Sequence, residues 1–359
     1  MRSNDVGTNA TPEDFTSQDA WRSWLAIARN WSLVFAFVAL AVWAGLWWWT
    51  ALTVLAIGTL QFALGEALLH EASHYNLFRS RVWNDRLEAL YALPFLTTTD
   101  AYRAEHLRHH QRLGKGNDHV VQDYAYHGLT TVSSLAAWVW FGKPALGLTG
   151  IEHLRYLWNR NPARAWLKVA IFWAPVLAIC AAGGLLPALL LYWFLPLFAV
   201  FAPLLHWSEI ADHYRTRTGT RSRTSRIHNL LWHNNGYHAI HHHFPRIPFH
   251  NLARAHRALG GDRWDCTRGW WGVWRQISRP SEPIPVKWAG YWPDLRRGER
   301  HGFDDQQAVK ELALREAPHA RARVTPEPAR SLEGPEDARV PPQDHSTATT
   351  SGLPVVASA

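Results

Sequence analysis

Trp31-Ser-Leu-Val-Phe-Ala-Phe-Val-Ala-Leu-Ala-Val-Trp-Ala-Gly-Leu-Trp-Trp-Trp49 carries no charged residue. As a helix rising ~1.5 Å per residue it is long enough to cross the ~30 Å hydrocarbon core of a bilayer. Trp47, Trp48 and Trp49 read as an aromatic belt at the far interface. A second apolar run follows at once, from Thr50 through Leu69, broken only by Gln61 and Glu66. The absence of a long loop predicts a tight helical hairpin, with His70 and His74 carried just past the membrane on its second helix. Before the hairpin, Trp21 to Asn30 reads as an interfacial amphipathic helix.

The pattern recurs downstream. Trp166 to Ala182 is the third span, with Lys168 near enough to its start to snorkel to the interface. Gly183-Gly184 makes the turn, and Leu185 to Leu205 is the fourth span. Pro175, Pro187, Pro196 and Pro203 interrupt this pair, which membrane helices tolerate when neighbours satisfy the freed backbone groups. The expected fold is an all-α integral membrane protein of four transmembrane helices in two hairpins, with a cytoplasmic helical cap. Residues 1–20 form a polar, mobile start, 21–300 one membrane domain, and 301–359 a disordered tail too poor in apolar residues to pack.

Among 359 residues there are 22 tryptophans and 21 histidines, and the formal net charge is +8. The apolar spans assign that charge to basic loops of a membrane protein rather than to nucleic-acid binding. Neither hairpin tip is charged, while the segments flanking the pairs are rich in arginine. The positive-inside rule puts both termini and the middle segment in the cytoplasm. Cys180 and Cys266 are the only cysteines, too few for a disulfide framework or a thiolate metal site. The polar first 30 residues show no signal-peptide pattern.

Three histidine clusters all fall on that cytoplasmic side: His70-Glu-Ala-Ser-His74, His106-Leu-Arg-His109-His110 and His238-Ala-Ile-His241-His242. Neutral imidazole is the commonest protein ligand for transition metals. Histidines four apart share a helix face and converge on one ion, and His109 and His241 add ligands from the same turns. Glu209 and His213 repeat the spacing beyond the fourth span, which makes His213 a ninth ligand. Zinc usually takes four ligands, so nine exceed one zinc site and suffice for two ions. His70-Glu71-x-x-His74 also matches the zinc-protease pattern, but that reading leaves the other two clusters unexplained. A non-catalytic membrane metal-binding protein is the other alternative; a metal-buffering tract would be contiguous.

The histidine boxes, in type, order and placement around two apolar hairpins, resemble those of the membrane fatty acid desaturase and hydroxylase superfamily. Asn84-Asp85-Arg86, the run from Asn235 to Pro245, and Pro248-Phe249-His250-Asn251-Leu252 are also similar to members of it, over roughly residues 30–260. The resemblance implies a non-haem di-iron centre held by His70, His74, His106, His109, His110, His213, His238, His241 and His242. It implies O₂ as co-substrate and a separate electron donor of ferredoxin, rubredoxin or cytochrome b5 type. The implied reaction is desaturation of a fatty acyl chain drawn from membrane lipid. Hydroxylation, carotenoid ketolation and decarboxylation to a terminal alkene remain open, and no catalytic residue is expected beyond the metal ligands. Glu66, Glu71, Glu209, Asn234 and Asn235 are candidate outer hydrogen-bond partners of the ligands. Glu66 reaches either a ligand imidazole or interfacial water, and one of the two asparagines is expected instead to cap a helix. Trp138, Trp140 and Phe141 read as an interfacial helix against lipid, or else as the lining of an acyl tunnel. His119, His127, His153, His206, His228, His233, His243, His250 and His256 fall outside the ligand set, with His206 and His233 the nearest to exceptions.

Overall fold

A computed structural model describes residues 10–114, 118–129, 135–216, 219–261 and 264–278. The expected tail at 301–359 and the first nine residues lie outside the described residues. Four helices are long and apolar enough to cross a membrane: α1 (Ala20–Ala44), α2 (Trp47–Ser73), and further along Ala163–Ala182 and Leu186–His213. The chain is thus a mostly helical membrane protein.

The first hairpin differs in detail from its sequence reading. Trp21 to Asn30 is not a separate interfacial helix, because α1 runs unbroken from Ala20. The turn comes earlier than Trp49. Gly45 adopts φ 63°, a left-handed conformation that costs glycine little, and α2 begins at Trp47. The tryptophan triplet therefore opens the second helix instead of closing the first. Toward its end α2 widens into a π-helical turn over Ala63–Leu68. Gly65 lies there against the Phe95 ring, at a distance where any Cβ would collide.

The segment after α2 is held by side chains. Asn84 is fully buried; its Oδ1 accepts from the amides of Leu77 and Phe78, and its Nδ2 donates to the carbonyls of Phe78 and Ser80. Arg103 donates to the terminal carbonyls of α2 at Ala72 and Ser73 and pairs with Asp85 at 2.6 Å. Arg103 belongs to α3 (Thr99–Arg112), so this one guanidinium ties the first histidine box to the helix bearing the second.

Between them, Leu87–Leu90 and Leu93–Phe95 form two short 3-10 turns, and the stretch from Tyr91 to Phe95 is buried, Tyr91 and Ala92 fully. Buried backbone carbonyls need donors. Indole N–H groups supply them: Trp31 donates to Leu90, Trp173 to Leu93 and Trp193 to Pro94. Trp31 and Trp193 also stack at 5.5 Å. Part of the tryptophan excess is thereby explained, since an indole offers a large apolar body with one donor.

α4 (His119–Tyr126) and α5 (Leu148–Arg160) follow, then α6 (Ala163–Ala182) and α7 (Leu186–His213) as the second hairpin. α7 runs eight residues past the expected end of the fourth span, so His213 is the last residue of the helix rather than a neighbour of it. β1 (Arg221–Arg223) and β2 (Asp265–Thr267) pair in parallel. α8 (Arg226–Leu231), α9 (His238–His243) and α10 (Phe249–Ala258) return the chain over the ends of the spans. α11 (Trp270–Ile277) packs Val273 and Ile277 into a second apolar cluster with Tyr124, Trp140 and Tyr214. Trp140 is buried there and its carbonyl accepts from Trp207, while Phe141 packs on Trp274. Neither Trp140 nor Phe141 is among the residues lining the cavity described below.

Candidate metal centre

The nine histidines expected as ligands converge in two groups. His70, His74, His106, His110 and His241 form one, and His109, His213, His238 and His242 the other; all are buried. Within each group the candidate ligand atoms lie within 4.8 Å of one another.

The second and third boxes are each divided between the two groups. Residues four apart stay together: His70 with His74, His106 with His110, His238 with His242. The member three apart turns to the other group, so His109 leaves its box for the four-histidine position and His241 for the five-histidine position. On a helix i and i+4 differ by ~40° and i and i+3 by ~60° in the opposite sense. Two ions flanking one helix separate the ligands in this way.

The Nε2 atoms point at each other. His106 Nε2 lies 2.8 Å from His74 Nε2 and 2.9 Å from His110 Nε2. His213 Nε2 lies 3.1 Å from His109 Nε2 and 2.9 Å from His238 Nε2. One ring proton cannot serve two neighbours, and lone pairs converging this closely call for a cation between them. Ligands ~2.1 Å from one metal and at right angles sit about 3 Å apart, which these spacings match. Burial, reinforced by the neighbouring imidazoles, holds His106, His110, His238, His241 and His242 well below the usual histidine range. They are neutral near pH 7, the form that binds metal. The donor set is all nitrogen; Cys180 and Cys266 stand apart from it.

The outer candidates behave differently from one another. Glu71 accepts the Phe249 amide, the first of α10, at 2.8 Å, and its other oxygen lies 3.8 Å from His70 Nδ1. Glu66 accepts from the Tyr102 hydroxyl at 3.0 Å rather than from an imidazole; Tyr102 in turn stacks on His106. Glu209 lies 3.4 Å from His119 Nε2. Asn234 donates to the Phe249 carbonyl. Neither asparagine caps α9, whose N-cap is Tyr237 with no side-chain bond.

His119 was passed over in the sequence and belongs near the centre. Its ring lies 5.2 Å from that of His109, with Asp118 and Glu209 alongside. Asp118 itself accepts from His109 Nδ1 at 2.9 Å while its Oδ1 also takes the Val120 amide in the first turn of α4. An aspartate opening a helix was the visible signal; its reach to His109 was not. His233 is structural: its Nε2 lies 2.8 Å from Asn30 Nδ2, fastening α1. His206 sits with His127, Glu152 and Lys143, where the lysine ammonium is 2.6 Å from both His127 and Glu152. His243 bonds the Ala239 carbonyl and packs on Trp264, outside both groups.

A cavity of about 400 Å³ adjoins both groups, lined by His70 and His106 of one and His109, His213 and His238 of the other. Leu69, Phe95, Phe201 and Leu205 contribute apolar lining, and Tyr102, Asp123 and Arg160 line it as well.

Residues 46–268 match the model of the fatty acid desaturase family, and this stretch contains all nine histidines. The chain belongs to that family. It is 29% identical over 263 residues to the dihydrorhizobitoxine desaturase of Bradyrhizobium elkanii, covering 64% of this chain and 73% of the relative. It is 26% identical to a chloroplastic omega-3 fatty acid desaturase of Brassica napus, covering 69% and 70%. An sn-2 acyl-lipid omega-3 desaturase (ferredoxin) of Arabidopsis thaliana is 25% identical, covering 69% and 64%. These relatives make the chain a desaturase-like oxidoreductase.

Buried histidines outside the two groups give the protein a defined response to acid. Burial lowers His153 to about 4; burial, with His206 and Lys143 nearby, lowers His127 to about 3; burial and Arg29 lower His233 to about 3. Their unfolded value is near 6.5, so below it the unfolded chain binds more protons and stability falls with pH. Asp123, raised to about 6 by burial, acts in the opposite sense. Metal-free protein in detergent should lose Tm progressively from about pH 6.5 to 4. A Tm that rises over that interval contradicts the assignment.

Proposed function

We propose that this protein is an O₂-dependent di-iron membrane oxidoreductase that introduces a double bond into a lipid acyl chain. The observation that carries the reading is the pair of buried all-nitrogen groups opening on one cavity with an apolar wall. His70, His74, His106, His110 and His241 would hold one iron, and His109, His213, His238 and His242 the other. Five converging imidazoles exceed the four that zinc usually takes, and imidazole suits iron. Bound iron would supply the activation of O₂ needed to remove hydrogen from an unactivated C–H bond. The balance is simple: two hydrogens leave adjacent carbons, two electrons and two protons come from outside, and O₂ becomes two waters.

The protein's own residues bind and position. Leu69, Phe95, Phe201 and Leu205 would receive the chain, and the buried histidines would hold the metals away from bulk water. The two electrons come from a separate donor of ferredoxin, rubredoxin or cytochrome b5 type; the Arabidopsis relative's name specifies ferredoxin. We place both termini and the metal centre on the cytoplasmic face, following the arginine-rich flanks of the hairpins. Residues 21–300 are proposed as the catalytic domain.

A second reading keeps desaturation and changes the substrate. The Bradyrhizobium relative is named for dihydrorhizobitoxine rather than for a lipid, and the Tyr102, Asp123 and Arg160 wall would suit a substrate with a polar group near the reacting carbons. Expression in a bacterial host, followed by gas chromatography of its fatty acids, decides between them. New unsaturated acyl chains, lost when His241 is replaced by alanine, are the expected result. Unchanged acyl chains from a host containing iron-loaded protein would overturn the acyl reading, as would hydroxy acids or alkenes.

A further inference from the structure

α5 separates two environments. Ile151, Leu154 and Trp158, spaced i, i+3 and i+7, share one face of it and are exposed, Ile151 at 68% and Trp158 at 72%. The spans bracket that face. Gly150 lies against the Phe198 carbonyl of α7, where a Cβ would approach to 2.8 Å, and the Trp158 ring lies 5.8 Å from that of Trp166 in α6. Exposed apolar residues set between two membrane spans meet lipid, so α5 lies along the bilayer surface.

Glu152, Arg155 and Asn159 repeat the spacing one residue on, and therefore ~100° around the helix. All three line the cavity that adjoins the metal centre, as does Tyr126 of α4. Arg155, Asn159 and Tyr126 are also exposed, so the cavity opens where they stand, between α4 and α5. From there Tyr156 leads inward: its ring lies 6.1 Å from that of His119, which lies 5.2 Å from that of His109. An amphiphile entering with its apolar end toward the histidines leaves its head group at this opening.

The opening carries one unmatched charge among the described residues. Lys143 is 2.6 Å from Glu152 and Arg160 is 2.6 Å from Glu105, while Glu209 and Asp212 face His119 and Arg223. Asp123 has His119, Glu209 and Arg160 as its main electrostatic neighbours, not Arg155. Arg155 has no carboxylate partner among the described residues. Its guanidinium lies over the Tyr126 ring at 5.2 Å and 3.5 Å from the Tyr126 hydroxyl, and Lys143 lies over the same ring at 5.0 Å. The planar fork of N–H donors on a guanidinium matches the oxygens of a carboxylate or phosphate.

We propose that Arg155 holds the anionic head group, a carboxylate or phosphate, of the substrate whose tail reaches the metal centre. This rests on the acyl reading above and adds the charge and orientation of the substrate to it.

The test is equilibrium binding to the full, iron-loaded chain in an uncharged detergent. Three probes share one saturated chain: stearate, stearoyl lysophosphatidate and uncharged stearyl alcohol. At least one anion should bind about tenfold more tightly than the alcohol, as a charge-assisted hydrogen bond predicts. Preference for stearate identifies a free acid, and preference for the lysophosphatidate a phospholipid head. Arg155→Gln should bring the favoured anion down to the affinity of the alcohol and leave the alcohol itself unchanged, and Arg155→Lys should keep part of the preference. Arg164→Gln, which alters an exposed arginine paired with Asp100 outside the cavity, should change nothing. Equal binding of all three probes by the wild-type protein would overturn the inference even if no variant folds, and so would a preference that survives in Arg155→Gln. Either result leaves the acyl reading standing, whereas a chain that binds none of the probes would refute the acyl reading together with it.

Discussion

His241→Ala protein should lose at least about a hundredfold in turnover and retain substoichiometric iron, while His243→Ala two residues away keeps both. A change in a hydrogen-bond partner behind a ligand typically costs 10–100-fold, and loss of the ligand itself costs more. His241 is the one residue of α9 in the five-histidine group. Its Nε2 lies 3.2 Å from His110 Nε2 and its ring 4.2 Å from that of His70. Without it, the third box no longer contributes to that position. His243 instead bonds the Ala239 carbonyl within α9. Iron per chain and product formation, measured on both variants after the same purification, separate the cases. Equal behaviour of the two variants would refute the assignment of these adjacent histidines.

The second large effect concerns stability. Arg223→Met should destabilise the protein by about 3–5 kcal/mol, because it leaves the Asp212 carboxylate buried without its cation. The Arg223 side chain is wholly buried, 3.0 Å from Asp212, and stacks over the Trp270 ring at 4.5 Å. Removing both partners in Arg223→Met/Asp212→Asn should recover much of that loss, since no unpaired charge then remains. By contrast, Arg22→Met breaks an exposed pair with Asp19 and should cost less than about 1 kcal/mol. Thermal or denaturant unfolding in detergent provides the comparison. A double variant no more stable than Arg223→Met would show that packing on Trp270, and not charge, sets the cost.

Those two residues also show where sequence reading stops. The hairpins were legible because long runs of apolar residues with at most one charge admit few alternatives in water. The nine histidines were legible because i, i+3 and i+4 spacing is a statement about one helix face. The division of each box between two positions was not, since it depends on where the other helices stand. Nothing in the sequence singles out Arg221 and Arg223, yet both are fully buried on the short β1 strand. Burial of an arginine depends on its partners, and Asp212 lies on another element. The segment from Leu87 to Phe95 appeared to be part of a basic cytoplasmic stretch. Its insertion among the spans depends on indole donors from Trp31, Trp173 and Trp193, spread over more than 160 residues. The π-helical turn before His70 likewise leaves no periodic signature, although Gly65 marks where Phe95 must fit.

The central claim is that nine histidines hold two irons. Metal analysis of the purified full-length protein tests it most directly. Two iron atoms per chain, falling in His241→Ala and unchanged in His243→Ala, is the predicted result. One zinc per chain and no iron, from cells supplied with both metals, would contradict it.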